Sequence, residues 1–118
     1  MKKTTQAPVK EECTKMFLPV RDALDVLNGK WKLLIIISLS FGNKRFGEIS
    51  KEINGITDKM LSKELKELEI NKLITRTVYD TFPPMVEYSV TKHGRSLELV
   101  ILALRNWGIE HRKEIIGK

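Results

Sequence analysis

Residues 46–90 read FGEISKEINGITDKMLSKELKELEINKLITRTVYDTFPPMVEYSV, and the order of segments within them decides the fold. Phe46, Ile49 and Ile53 recur at helical spacing, and Asn54-Gly55 ends that segment. Thr57 has the hydroxyl of a helix cap and opens a second helical segment, Asp58–Asn71. Two short alternating runs follow, Thr75–Tyr79 and Val86–Val90, around a loop that holds Pro83-Pro84. Helix, tight turn, helix and hairpin is the order of a winged helix-turn-helix. The expected fold class is mainly α with a small β-hairpin (α+β). Such a domain sets one helix in the major groove of DNA and a β-ribbon against the adjoining backbone.

Projecting Asp58–Asn71 onto a helix separates two chemistries. Leu61, Leu65 and Leu68 share one side; Lys59, Lys63 and Lys66 fall at i, i+4 and i+7 on the other, with Ser62 beside them. An apolar face suits a core and a cationic face suits a phosphate-lined groove. The first turns of a recognition helix reach base edges most easily, so Thr57, Lys59, Ser62 and Lys63 are the expected DNA-reading end. Lys66 is expected on phosphate and Met60 against a thymine methyl. The blander reading is a solvated helix, because Glu64, Glu67 and Glu69 balance the lysines and Lys63–Glu67 has the spacing of a simple i, i+4 pair. The hairpin directly downstream favours the DNA reading. Lys44 and Arg45 precede the Phe46 segment and suit a phosphate clamp or an ordinary loop pair. Arg76 either faces DNA or pairs with Glu87 across the strands. Tyr79 and Tyr88 are expected to pack within the wing.

Outward from this stretch, residues 1–17 read as a flexible N-terminal arm, polar and charged with Pro8, and residues 18–118 as one domain. Pro19 suits a helix start; Val20, Leu24 and Leu27 follow at helical spacing, and Asn28-Gly29 stops the segment. Ile35–Ile37 favours a strand by propensity, yet Lys30–Ser40 has the length of a buried helix between helical neighbours and is assigned as one. Thr91 is expected to cap a last helix running to about Ile115. On it Leu97, Val100, Ile101, Leu104, Trp107 and His111 form one stripe, while Leu99, Leu102, Ala103 and Ile109 fall elsewhere. A helix apolar on more than one side needs more than one partner surface. The second surface is expected to be another copy of the chain, met through the terminal helices at Val20, Leu24, Leu99, Leu102, Ala103 and Trp107.

Composition narrows the function classes. A net charge of +6 and a pI near 9.5 favour polyanionic partners. The single cysteine, Cys13, excludes an intramolecular disulfide framework and a multi-thiolate metal site within one chain. His93 and His111 lack a carboxylate or thiol at metal spacing and read as structural, so no metal and no cofactor is expected. Met1–Glu12 has no apolar run after its lysines and does not read as a signal peptide. The longest apolar run, Leu33–Ile37, is too short to span a bilayer, so a cytoplasmic location without membrane contact is expected. Without a Ser/His/Asp set, a phosphate loop or a carboxylate pair, an enzyme is not expected.

Specific motifs carry a family resemblance from Pro19 to His111. They are Ala23-Leu24-Asp25-Val26 with Gly29-Lys30-Trp31-Lys32, Arg45-Phe46 with Glu48-Ile49, Gly55-Ile56-Thr57 with Lys59-Met60-Leu61, and Leu65-Lys66-Glu67-Leu68-Glu69. Val78-Tyr79, Pro83-Pro84 with Val86-Glu87-Tyr88-Ser89, Thr91 with Gly94, and Trp107-Gly108 follow. In this order they resemble the HxlR family of bacterial winged-helix transcription regulators. The resemblance implies a homodimer built through terminal helices, a recognition helix at 57–71, a wing at 75–90, and repression or activation of nearby genes. It also implies, for several members, a response to oxidants or electrophiles. A twofold dimer is expected to read double-stranded DNA at a palindromic operator, and a small-molecule effector or a modification near the dimer helices is expected to change the separation of the recognition helices. The chain departs from the family twice. The cysteine that many members carry just before the first helix's proline is Leu18 here, and the thiol, Cys13, lies five residues earlier. Cys13 is therefore the candidate redox switch, against an inert thiol. At the wing tip the usual basic residue is Met85, and Asp80 sits in the same loop, which predicts weaker backbone contact or an apolar tip. A second function class, a winged-helix module that binds protein or single-stranded nucleic acid, uses the same fold.

Overall fold

The computed structural model describes residues 10–118. The elements are α1 (Lys10–Val26), α2 (Lys32–Ser40), α3 (Phe46–Glu52), α4 (Asp58–Ile70), β1 (Ile74–Tyr79), β2 (Met85–Val90), α5 (Lys92–Arg95) and α6 (Glu98–Ile116). The three isoleucines do lie in a helix. Ile35, Ile36 and Leu39 of α2 form the centre of the core with Ile49, Leu61, Leu65, Leu68, Ile74 and Val90. Burial on the helix-packed side overrides the β preference of the isoleucines. Leu34 and Phe41 remain exposed on the other side of α2.

α4 is closed at both ends by local chemistry. The Thr57 hydroxyl accepts the Met60 N–H at 3.1 Å. At the C-terminus the Leu73 N–H reaches the Leu68 carbonyl at 3.0 Å and the Lys72 N–H reaches that of Glu69 at 2.9 Å. This is a Schellman closure, usually built on glycine; here Lys72 holds the left-handed position at φ 63°. Buried Leu68 and Leu73 supply its apolar contact. The turn before α4 runs through Gly55 at φ 90°, a conformation that strains an L side chain.

The wing is an antiparallel pair in the register Ile74↔Val90, Arg76↔Tyr88, Val78↔Val86. Lys44 adds one further bridge: its N–H donates to the Tyr88 carbonyl at 3.0 Å, and the Tyr88 N–H donates to the Lys44 carbonyl at 2.8 Å. The wing root is thereby tied to the loop before α3. Phe82-Pro83 is a cis peptide at the tip, and Phe82 stands fully in solvent.

Two boundaries differ from the expectations. Residues 10–17, expected in an arm, are helical, and Pro19 lies inside α1 rather than at its start; residues 1–9 of that arm lie outside the described residues. A proline in a helix removes one backbone donor, but the i, i+3, i+7 pattern of Phe17, Val20 and Leu24 runs on either side of it. The expected single C-terminal helix is two. Thr91 does cap the first turn, with its hydroxyl accepting the Gly94 N–H at 2.9 Å. Then Ser96 and Leu97 donate to His93 and Gly94 at 3.1 Å each, in tighter i→i+3 bonds that break the α ladder. Gly94 is pressed against the core: a β-carbon there would stand 2.2 Å from the Leu73 carbonyl oxygen.

α1 and α6 project from the core. The Cα radius of gyration is 18.1 Å, against about 13–14 Å for a compact chain of this length. Neither helix buries a single residue; Val26 at the end of α1, and Leu97 and Ile101 at the start of α6, are packed partly on the core.

Candidate nucleic-acid interface

The helix-turn-helix is α3 and α4, joined by the Ile53–Thr57 turn and pinned by the Ser50 hydroxyl donating to Asp58 Oδ1 at 3.2 Å. Leu61, Leu65 and Leu68 face the core, which turns Lys59, Ser62, Lys63 and Lys66 outward; all four are exposed, and Met60 stands beside them. The ammonium groups of Lys59 and Lys66 have no ion-pair partner among the described residues, whereas Lys63 Nζ pairs with Glu67 Oε2 at 3.1 Å. Thr57 is taken up by its capping role.

One of the two expected roles of Arg76 is closed by the strand register. Its strand parity puts it on the face of Ile74 and Tyr88, while Glu87 lies opposite Thr77 on the other face. An Arg76–Glu87 pair is therefore ruled out by register. Arg76 opens onto a groove of about 370 Å³ between wing and α4, shared with Ser62, Leu65, Lys66, Glu69 and Tyr88. Glu87 instead accepts the Tyr79 hydroxyl at 3.0 Å, and this hydrogen bond first, with the carboxylate charge behind it, raises the Tyr79 pKa. Tyr79 is thus tied to Glu87 across the wing, whereas Tyr88 is buried in the hydrophobic core rather than within the wing alone.

Lys44 departs from the phosphate clamp. Its ammonium donates to the Ser38 carbonyl at 2.7 Å, to Ser38 Oγ at 3.1 Å and to Glu52 Oε1 at 2.7 Å, which uses all three of its protons. The hydrogen bond from Lys44 holds the Glu52 carboxyl below the usual carboxylate range. Arg45 remains outward: its backbone N–H donates to Glu48 Oε1 at 2.8 Å at the start of α3, and its guanidinium has no ion pair among the described residues.

The feature that spacing did not reveal is a buried charge cluster behind α4. Lys32 is 1% exposed and Glu64 is 4% exposed, and the two form an ion pair. The same ammonium donates to Glu67 Oε1 at 2.7 Å and to Asn28 Oδ1 at 3.1 Å. Burial pulls the Lys32 pKa down most strongly of any single influence, but the hydrogen bonds and charges of Glu64 and Glu67 together outweigh it and leave the pKa raised. Glu67 is held below the usual carboxylate range by Lys32 first and Lys63 second. The available signal was Glu64, at the edge of the leucine stripe, where a carboxylate needs a buried cation.

The expected contact residues Val20, Leu24, Leu99, Leu102, Ala103 and Trp107 are all exposed, Trp107 to 66%, with its ring stacked on His111 at 4.7 Å. Cys13 lies half-buried on α1. Among the described residues no group of three potential metal ligands converges, and no helix is long and apolar enough to cross a membrane.

Comparison with known proteins agrees with this geometry. Residues 26–115 match the model of the HxlR-like helix-turn-helix family. An uncharacterised HTH-type transcriptional regulator of Bacillus subtilis, YdeP, is 45% identical over 97 residues, covering 82% of this chain and 76% of its own. Among solved structures, the reduced form of the redox regulator HypR superposes with a TM-score of 0.78 at 40% identity, over 85% of this chain and 99% of that one. The reduced form of the B. subtilis transcriptional regulator YodB does so with a TM-score of 0.70 at 38% identity, over 76% and 88%.

Proposed function

This chain belongs to the HxlR-like helix-turn-helix family of transcription regulators, and we propose that it acts as a homodimer that reads two half-sites of a palindromic operator with α4. The observation that carries this reading is the outward set of Lys59, Ser62, Lys63 and Lys66 on a helix whose opposite face is locked into the core. Lys59, Ser62 and Lys63 take base edges, Met60 a thymine methyl, and Lys66 and Arg45 phosphate. Arg76, across the groove from Lys66, takes the backbone beside the wing. The wing tip presents Phe82, an apolar group that suits a sugar or groove wall better than phosphate. Lys44 supports the wing root and is not a contact in this reading.

The uncovered apolar faces of α1 and α6, from Phe17, Val20 and Leu24 to Leu99, Leu102 and Trp107, support a dimer built from the terminal helices of two copies. A signal that changes the angle between those helices changes the spacing of the two α4 helices. Cys13 on α1, together with the likeness to the redox regulator HypR, supports an oxidant or electrophile as that signal; a small ligand at the helix junction is the other source. This reading includes neither catalysis nor a membrane and places the regulator in the cytoplasm.

The test is binding of the purified protein to the DNA flanking its own gene, against a shuffled duplex, across a salt series. Preference for the native fragment that persists as salt rises supports the operator reading. Equal, weak and salt-erased binding to both refutes it and favours the interaction-module reading. Oxidant-dependent release that survives Cys13→Ser refutes the thiol switch.

A further inference from the structure

We propose that Glu67 is a specificity-determining residue of the DNA contact: anchored from behind by buried Lys32, it holds the Lys63 ammonium in one place on the outer face of α4. The inference rests on the reading that this face meets DNA. At about 100° per residue, Glu64, Glu67 and Lys63 step round α4 from the core edge to the cationic face. Lys32 of α2 is fixed at the inner end by Asn28, Glu64 and Glu67. One Glu67 oxygen meets Lys32 at 2.7 Å and the other meets Lys63 at 3.1 Å. The carboxylate is therefore a bridge whose inner end is anchored and whose outer end tethers a DNA-facing lysine. Lys59 and Lys66, on the same face, have no such tether among the described residues.

Two consequences oppose each other. The bridge restricts the rotamers of Lys63 before DNA arrives, so less side-chain entropy is lost when its ammonium meets a base edge in the right place. It also offsets part of the lysine's charge, so attraction to phosphate of any sequence is weaker. Both effects raise discrimination at the expense of general affinity. Lys63 is thus a positioned reader, and Lys59 and Lys66 are mobile charges.

The experiment uses the full chain and a random-sequence duplex library. Selection with the wild-type protein yields a motif duplex; its affinity is compared with that of a shuffled duplex for wild type, Glu67→Gln, Lys63→Ala and the double variant. Glu67→Gln keeps the shape of the side chain and removes its charge, leaving the Lys32–Glu64 pair in place. The expected result is tighter binding of the shuffled duplex and a motif-to-shuffled ratio lower by roughly two- to tenfold. In the Lys63→Ala background, Glu67→Gln is expected to leave that ratio unchanged, the signature of action through Lys63. Simple loss of a negative charge would tighten both duplexes alike and keep the ratio; that result overturns the proposal while leaving the DNA reading intact. An equal fall of the ratio in the Lys63→Ala background also overturns it. A wild-type protein that enriches no motif overturns the DNA reading and this inference with it.

Discussion

Lys32→Met tests what holds α4 against the core. The substitution keeps the aliphatic bulk of a side chain that is 1% exposed and strands the Glu64 carboxylate, 4% exposed, without its cation. Breaking a buried pair from one side costs about 3–5 kcal/mol, because the remaining charge is left in a poor solvent. Glu67 loses the same partner but is more than a third open at the side chain and recovers water, so it adds little. Against a total stability of about 5–15 kcal/mol the loss is a large fraction. With an m-value of about 2 kcal/mol/M it moves the urea midpoint by roughly 2 M. Lys32→Met with Glu64→Leu removes both charges and is expected to lie within about 1 kcal/mol of wild type or above it. The assay is urea unfolding followed by far-ultraviolet circular dichroism at one fixed protein concentration, since a dimer's stability depends on concentration. A single variant that costs under about 1 kcal/mol, or a double variant as damaged as the single, would refute the reasoning that an anchored charge pair joins α2 to α4.

Gly94→Ala places a methyl 2.2 Å from the Leu73 carbonyl oxygen and 2.7 Å from Val90 Cγ1, so a backbone must move; a loss of about 1–3 kcal/mol in the same unfolding assay is expected. Lys72→Gly relieves a lysine at φ 63° in the closure of α4 and should raise stability by up to about 1 kcal/mol in thermal unfolding, with no change if that residue is unstrained. Glu52 and Glu67 have folded pKa values below their unfolded ones, so their contribution is present above about pH 4.3 and is lost as the pH falls through the lower folded values. An acid titration of stability should therefore fall less steeply in Lys44→Met, where Glu52 has lost its cation. Leu102→Asp sets a charge on the uncovered face of α6 and should shift the protein toward monomer in sedimentation while the isolated subunit keeps its helix content; an unchanged mass would remove α6 from the interface.

The helix-turn-helix and wing were legible in the sequence because their signals are local. Thr57 caps α4 through its own hydroxyl, Leu61, Leu65 and Leu68 repeat with the helical period, and the strand alternation around Pro83-Pro84 sets the hairpin. The outward lysine stripe follows from the same periodicity once the leucines are buried. Other features depended on partners distant along the chain. Lys44 reads as a loop cation, yet Ser38 and Glu52 claim its protons. Arg76 and Glu87 look like neighbours until the register sets them on opposite faces. Lys32 and Glu64 are 32 positions apart, and only the crossing of α2 behind α4 turns two surface-type residues into a buried pair. Local hydrogen bonds and periodic burial are written in neighbouring residues; the partner of a charge is decided by which helices pack together, and that is a property of the tertiary structure alone.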